Sequence, residues 1–511
     1  MVRRISLVRD PDWRSTLAAT GMIMVILAGL VGCAPLPTQQ PSPAAVSPEQ
    51  IQPIAERAYP YGLQQVIYLG QRWIGTQHES ENNMAYAGTN RFAWVRTQIS
   101  PDFPVVTPNA TTLYGSGWLD LRREPVVVEV PAIEDRYYSL QAMDHYGIFH
   151  TTVGSPFNGT EARMYLFVPP GYEGPLPEGI PTTEIISWPT KTVFVIVRIA
   201  VETGTAEEIA EINAYQDQIT ATPLSEWIAN GNAGVPQSER AIVPGDYPVY
   251  ARMPAIAMGQ VDKQTAKDFF TLLHMVLNDP GLTVMKDSLA EAAMLDELRS
   301  IGIGEGLEFD WDSLPAETTE ALEAGFAAGF EGVRAMLRTG LTDMNGWMVG
   351  RMSGSFETDW MDRAVMADAG WGGPDKAISH TGAFRFTDSE GQPLHGSSNY
   401  TITFDLSDLP PVTQFWSVPI YNENGYLVGN EINRYEINSY MLEHGDLVTE
   451  DGKLVIYVQH RRPEDEEAAK NWLPAPPDVF RFTARFYGPY PPVLDGSYNM
   501  PAPVRTGPAE P

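Results

Sequence analysis

Few side chains in this sequence sit at spacings that could do chemistry by themselves. Its eight histidines, His78, His145, His150, His274, His380, His395, His444 and His460, are scattered. His145 and His150 are five residues apart, which on one strand puts them on opposite faces. A shared metal is therefore not expected, and no metal ligands are assigned. The chain has no HExxH, no GxSxG, no phosphate-binding glycine loop and no dinucleotide fingerprint. Gly302, Gly304 and Gly306 follow a helical pattern, not a strand, so they do not read as a nucleotide turn. Cys33 is the only cysteine, which excludes disulfides, Cys-ligated zinc and iron–sulfur clusters beyond it. No cofactor is expected.

The elements that must position any site follow from hydrophobic periodicity. Ser47-Pro48 forms a helix start, and apolar residues from Ile54 to Leu69 read as one helix or two around Pro60. Between about 92 and 201 the pattern turns to strands, at Val126–Val130, Tyr137–Met143, Met164–Val168 and Val193–Val201. The middle is helical. Phe269, Leu272, Leu273, Val276 and Leu277 mark one face, stopped by Asp279-Pro280-Gly281, and Leu289–Ile301, Thr318–Leu337 and Asp359–Ala369 behave alike. Strands return at 400–406 and 480–487. In the latter, Phe480, Phe482, Ala484 and Phe486 alternate with Arg481, Thr483, Arg485 and Tyr487, so two cations are expected to face solvent. Asn424-Gly425 and Asp451-Gly452 read as hairpin turns.

The N-terminus has the three parts of an export signal: Arg3, Arg4, Arg9 and Arg14, an uncharged stretch from Thr16 to Gly32, and a stop at Cys33. The apolar core of that stretch is short for a membrane-spanning helix. Leu30-Val31-Gly32-Cys33 resembles the bacterial lipobox, which implies acylation of Cys33 and a bilayer as partner. Residues 34–46, rich in Pro, Ala and Gln, read as an extended tether. Cleavage before Cys33 would remove four arginines and two aspartates, taking the formal charge from −30 to −32. That acidity argues against nucleic acid or anionic lipid as a partner of the folded body. The length suits two or three domains.

Two ordered blocks carry a wider resemblance. The first comprises TPNATTLYGSGWLDL (107–121), PVVVEVP, DRYYSLQAMD (135–144) and FVPPGYEG (167–174). The second comprises NGWMV (345–349), TDWMDRAVMADAGWGGPDKA (358–377), QFWSVPIYNENGYLVGNEINRYEI (414–437) and NWLPAPPDVFRFTARFYGP (471–489). Together they resemble a bacterial envelope family whose halves are domains of unknown function 1254 and 1214. The resemblance implies an α+β fold, mainly β, with two antiparallel β-sandwich-type domains and a helical segment between them. The expected limits are 1–32 for the signal peptide, 33–46 for the tether, 47–230 and 344–505 for the β domains, and 231–343 for the helical connection. One departure stands out. Where the family usually has Pro-Asn-x-Asp-Thr-Leu-Tyr, this chain has Thr111 in place of the aspartate.

Within those blocks, Asn109, Tyr114, Trp118, Arg136, Tyr138, Asp144 and Tyr146 in the first half, and Trp416, Tyr421, Asn433, Arg434 and Tyr435 in the second, are the candidate ligand-binding residues. Aromatic faces beside amide, carboxylate and guanidinium groups can stack a flat or sugar-like ligand and hydrogen-bond its rim. The first functional expectation is therefore an exported, lipid-anchored envelope protein that binds a small organic molecule or glycan between two β domains. The alternatives are a hydrolase, with Asp144 as acid or base and Arg434 stabilising negative charge, and a structural envelope protein acting through homo-oligomer contacts.

Overall fold

The computed structural model describes residues 46–508, except 81–82, 103–105, 254–263, 283–287, 340, 351–355, 372 and 374–378. The expected signal peptide, Cys33 and nearly all of the tether lie outside the described residues. Ser47 and Gln50 form a capping box, and Pro48 occupies the first turn of helix α1 (Pro48–Thr76). Pro53 and Pro60 both lie inside this one uninterrupted helix. Their missing N–H groups are tolerated because the opposing helix packs hard against the same stretch.

In the N-terminal half the strands are β1 (Phe92–Trp94), β2 (Thr112–Asp120), β3 (Val126–Val130), β4 (Tyr138–Met143), β5 (Phe149–Gly154), β6 (Arg163–Val168), β7 (Ile185–Ser187), β8 (Thr192–Ala200) and β9 (Thr220–Pro223). A short α2 (Ser155–Asn158) follows β5, and α3 (Ala206–Gln218) and α4 (Leu224–Ala229) flank β9. Strands in the order β1-β2-β8-β4-β5 form an antiparallel sheet, and β7-β6-β3-β9 form a second. The two pack through Leu113, Val128, Leu140, Phe167, Val195, Val197 and Ile199, a buried aliphatic core.

Helices α5 (Ala266–Asn278), α6 (Leu289–Ser300), α7 (Ala316–Thr339) and α8 (Trp360–Gly370) then join α1 in one layer. Thus the first helix of the described chain and α8 share a core with the middle helices. The stop at Asp279-Pro280-Gly281 is where α5 ends. Gly325 and Gly329 of α7 let its backbone meet α1: a methyl on Gly325 would come within 2.4 Å of Gln52 O, and one on Gly329 within 2.7 Å of Glu56 O. Glu56 O is the carbonyl that Pro60 leaves without its helical partner. Adding a methyl there would cost about 1–3 kcal/mol by overpacking.

The C-terminal strands are β10 (Thr342–Met344), β11 (Trp347–Val349), β12 (His380–Arg385), β13 (Ser398–Asp405), β14 (Trp416–Asn422), β15 (Glu436–Asn438), β16 (Thr449–Glu450), β17 (Lys453–Gln459), β18 (Trp472–Pro474), β19 (Phe480–Tyr487) and β20 (Val504–Pro508). Six of them form an antiparallel sheet, β10-β11-β12-β19-β14-β15; β16-β17-β13-β20, with β18 beside β17, form the opposing one. Phe404, Trp416, Ile420, Ile456, Phe480 and Phe482 fill the space between. Asp451 and Gly452 both have positive φ, as the two-residue turn between β16 and β17 requires. Asn424-Gly425 makes a turn after β14, but β14 pairs with the later β15, so it closes no hairpin. The fold is α+β, with 31% helix and 26% strand. No described helix is long and apolar enough to cross a membrane.

A candidate anion site at the junction of the two β units

Each sandwich uses one face of its larger sheet for its own core. Along β2, Leu113 and Leu119 point into that core, while Thr112, Tyr114, Ser116 and Trp118 lie on the other face. Cross-strand register then sets Tyr114 beside Arg198, and Arg198 beside Ser139. The same alternation on the C-terminal sheet puts His380, Gly382, Arg481, Arg485, Tyr487, Ser417, Tyr421 and Glu436 on its outer face. The expected solvent exposure of Arg481 and Arg485 is therefore corrected, because the N-terminal half covers the face they occupy.

The segment 107–112 makes the contact. Tyr421 donates to Pro108 O at 2.6 Å, and Asn109 Nδ2 donates to the Tyr487 hydroxyl at 2.6 Å. Asn109 Oδ1 also accepts from Thr111 N at 2.9 Å, which shapes the turn. Thr107 has φ +54°, a left-handed backbone that costs a β-branched residue about 1–3 kcal/mol. Three partners hold it there. Its N–H donates to Gly425 O at 2.7 Å, Arg485 donates to its carbonyl at 2.5 Å, and Arg481 donates to its hydroxyl at 3.0 Å. Gly425 itself must be glycine, since it has φ +86° and a methyl there would strike the Arg481 guanidinium.

Thr111 has a definite role in this arrangement. Its hydroxyl donates to Glu436 Oε1 at 2.5 Å, and Asn438 Nδ2 donates to the same oxygen at 3.1 Å. Burial raises the Glu436 pKa, opposed by Thr111, Asn438 and Arg485. An aspartate at 111 would instead press a second carboxylate against Glu436.

Charge at the junction is strongly one-sided. Arg198, only 4% exposed, pairs with Gln141 Oε1 and lies 5.6 Å from the Tyr114 ring. Arg485 donates to the Tyr421 hydroxyl at 3.5 Å; among the described residues no carboxylate lies within ion-pair distance of Arg481 or Arg485, and Arg485 Nε has no partner. Burial would raise the Tyr114 pKa, yet Arg198 and Arg485 together bring it below that of an ordinary tyrosine. Burial, then the same two arginines, hold His380 neutral, with its pKa well below 6.5. The His380 ring stacks on Tyr487 at 4.6 Å, and Tyr487 stacks on Phe415 at 4.1 Å. Tyr114, His380 and Arg485 are deeply embedded but keep some accessible surface, as groups lining an internal crevice do. Gly382, beside Arg485 in the register, would give an added methyl only ordinary contacts at 3.6 Å.

Of the candidate residues from sequence, the structure brings Asn109, Tyr114 and Tyr421 together here. Trp118 packs into the helical core, Tyr138 into the N-terminal sandwich and Trp416 into the C-terminal one. Arg136 is held by Asp135, Glu208 and Glu211. Arg434 donates to Lys470 O and Trp472 O, Tyr435 to Asn433 Oδ1, beside an open surface cleft of about 470 Å³ that includes Asn430, Arg461 and Trp472. Asp144 pairs with His150 at 2.8 Å, so Asp144 and Arg434 do not form the couple that a hydrolase built on them would need. The parity argument for His145 and His150 also changes, because a turn at 144–148 separates them from a common strand. Sequence reasoning passed over Arg198, His380, Glu436, Arg485 and Tyr487. Arg198 alone carried a signal, as the one charge inside the apolar run 193–201.

The junction lies within two regions known from other chains. Residues 89–223 match the family model described as "Protein of unknown function (DUF1254)", and residues 381–491 match "Protein of unknown function (DUF1214)". No curated protein matches the chain. A solved structure, the VPA0106 protein from Vibrio parahaemolyticus, is 25% identical with a TM-score of 0.64, covering 89% of this chain and 100% of its own. Another, an uncharacterized protein from Burkholderia cenocepacia, is 12% identical with a TM-score of 0.40 over 90% of this chain and 92% of its own. This chain carries a DUF1254 region at 89–223 followed by a DUF1214 region at 381–491.

Proposed function

We propose that this protein binds a small organic anion in the crevice between its two β units, as an exported protein anchored through acylated Cys33. One observation carries the binding reading: Arg485 is embedded without a carboxylate partner, in a chain of formal charge −30. Leaving a guanidinium buried and unmatched costs several kcal/mol, which an anionic ligand would offset. A carboxylate or phosphate suits the planar fork of arginine. The Tyr114 and His380 rings, which keep accessible surface, supply an aromatic wall for the organic part, His380 being backed by the stacked Tyr487.

A thermal-shift screen of organic carboxylates, phosphates and sulfonates, against neutral analogues at matched ionic strength, tests the site. Saturable stabilisation by an anion, lost in Arg485→Met, is the expected result. A set of anions that stabilise no more than sodium chloride does would sink the reading. Anchoring is tested separately: Cys33→Ser should move the protein from the membrane fraction to the soluble one with the fold intact.

A further inference from the structure

A second group of buried polar side chains lies under the helical layer, apart from the junction. Trp118, Met143 and Phe194, packed into the helical core, occupy the sheet face between the two. The group gathers residues from α1, α8 and the turn after β4. Arg363 of α8 is 1% exposed; among the described residues its guanidinium makes one hydrogen bond, from Nη2 to Tyr61 O at 2.6 Å, leaving Nε and Nη1 without partners. Its guanidinium carbon lies 5.7 Å from the Tyr61 ring and 5.3 Å from the Tyr146 ring. His145, fully buried with its ring 4.2 Å from that of Tyr146, has neither ring nitrogen partnered. Gln64 Nε2 and Gln65 Oε1 are likewise buried and unpartnered, and Gln64 reaches the turn, since a methyl on Gly147 would meet its amide carbon at 3.0 Å.

So many orphaned groups in one place would each destabilise the fold if nothing met them. Donor atoms still lead: Arg363 Nε and Nη1, Gln64 Nε2 and one nitrogen of neutral His145, against Gln65 Oε1, Glu291 Oε2 and the second His145 nitrogen, with the Tyr61 hydroxyl able to serve either way. Glu291 is the carboxylate whose charge Arg363 feels most, but it makes no hydrogen bond to the Arg363 guanidinium, and its own Oε2 is unpartnered. Asp144 is engaged by His150 and by the N–H groups of Tyr146 and Ile148, and burial pushes the Glu291 pKa up. We infer that this cluster forms a second binding site, taking a small carboxylate between Arg363 and the Gln64 amide. The carboxylate would receive the two free guanidinium N–H groups as a fork, with Gln64 on its flank.

Saturation-transfer NMR from protein to sodium propionate tests this, with n-propanol and sodium chloride as controls. It is performed on wild type and on Arg485→Met, in which the junction site is disabled. Saturable transfer to propionate should persist in Arg485→Met, be absent for propanol, and weaken about tenfold or more in Arg363→Met. Should Arg363→Met fail to fold, Gln64→Leu, which removes an orphaned donor and leaves no charge behind, must weaken binding as well. No saturable transfer in Arg485→Met, or undiminished binding in Gln64→Leu, would overturn the inference. Neither outcome bears on the junction, whose own ligand screen is read through Arg485.

Discussion

Two embedded arginines, Arg72 and Arg485, show how differently this protein treats buried charge. Arg72 on α1 is 1% exposed and forms a two-pronged pair with Asp279, while its face rests 3.8 Å from the Tyr247 ring. Asp279 in turn accepts Gly281 N at 2.7 Å, so the pair ties α1 to the end of α5. Every charge there has its opposite. Among the described residues Arg485 hydrogen-bonds the Thr107 carbonyl and the Tyr421 hydroxyl, and no carboxylate lies within ion-pair distance of it. The first arrangement welds helices; the second holds positive charge ready in a crevice.

The sharpest way to break that contrast is to remove each guanidinium in turn. Arg72→Met strands Asp279 in the core and should cost about 3–5 kcal/mol, seen as a large fall in Tm by calorimetry. Arg485→Met relieves a buried charge but also releases the carbonyl of the strained Thr107; the two offset, so it should change stability by less than about 1 kcal/mol and abolish any response to anions. Equal destabilisation by the two would remove the distinction.

The second cluster gives a pH test. Burial lowers the His145 pKa from 6.5 to about 4, so the unfolded chain binds the proton that the folded one refuses. Its contribution is fully present above pH 6.5 and is lost as pH falls toward 4, up to about 3 kcal/mol. Denaturant unfolding of wild type and His145→Phe across that window should show a shallower acid loss in the variant. Parallel curves would place His145 in a wetter setting than Arg72 occupies.

Thr111→Asp sharpens the junction side. Two carboxylates at 111 and 436 cannot both ionise cheaply, so the variant should lose about 1–2 kcal/mol of stability at pH 7 relative to pH 5. A pH-independent difference would mean that Arg485 already compensates the added charge. Gly382→Leu should have the smallest effect on folding, within about 0.5 kcal/mol, because its Cβ meets only ordinary contacts. It should nonetheless block the anion response, read in the same thermal-shift assay.

Much of the frame was legible from periodicity. The strand at Val126–Val130, the helix over 289–300 and the Asp451-Gly452 turn follow from local residue patterns, because secondary structure and tight turns are settled over a few residues. Tyr114, Tyr421 and Asn109 were recognisable as polar and aromatic groups in distinctive blocks. Their partners were not. Arg485 reads as a solvent-facing cation, since a strand's alternation tells which residues share a face and nothing about what covers it.

The sequence by itself determined the α+β class, the strand–helix–strand order and the pairing of DUF1254 with DUF1214 regions. These rest on local propensity and contiguous motifs, which act along the chain. Only tertiary structure decided that residue 111 meets 436, that 109 meets 487 and that 72 meets 279. Each pair is more than 200 residues apart in sequence. Whether a buried charge is matched depends on such long-range docking of whole faces, and it is there that Arg72 became a structural tie and Arg485 an open cation.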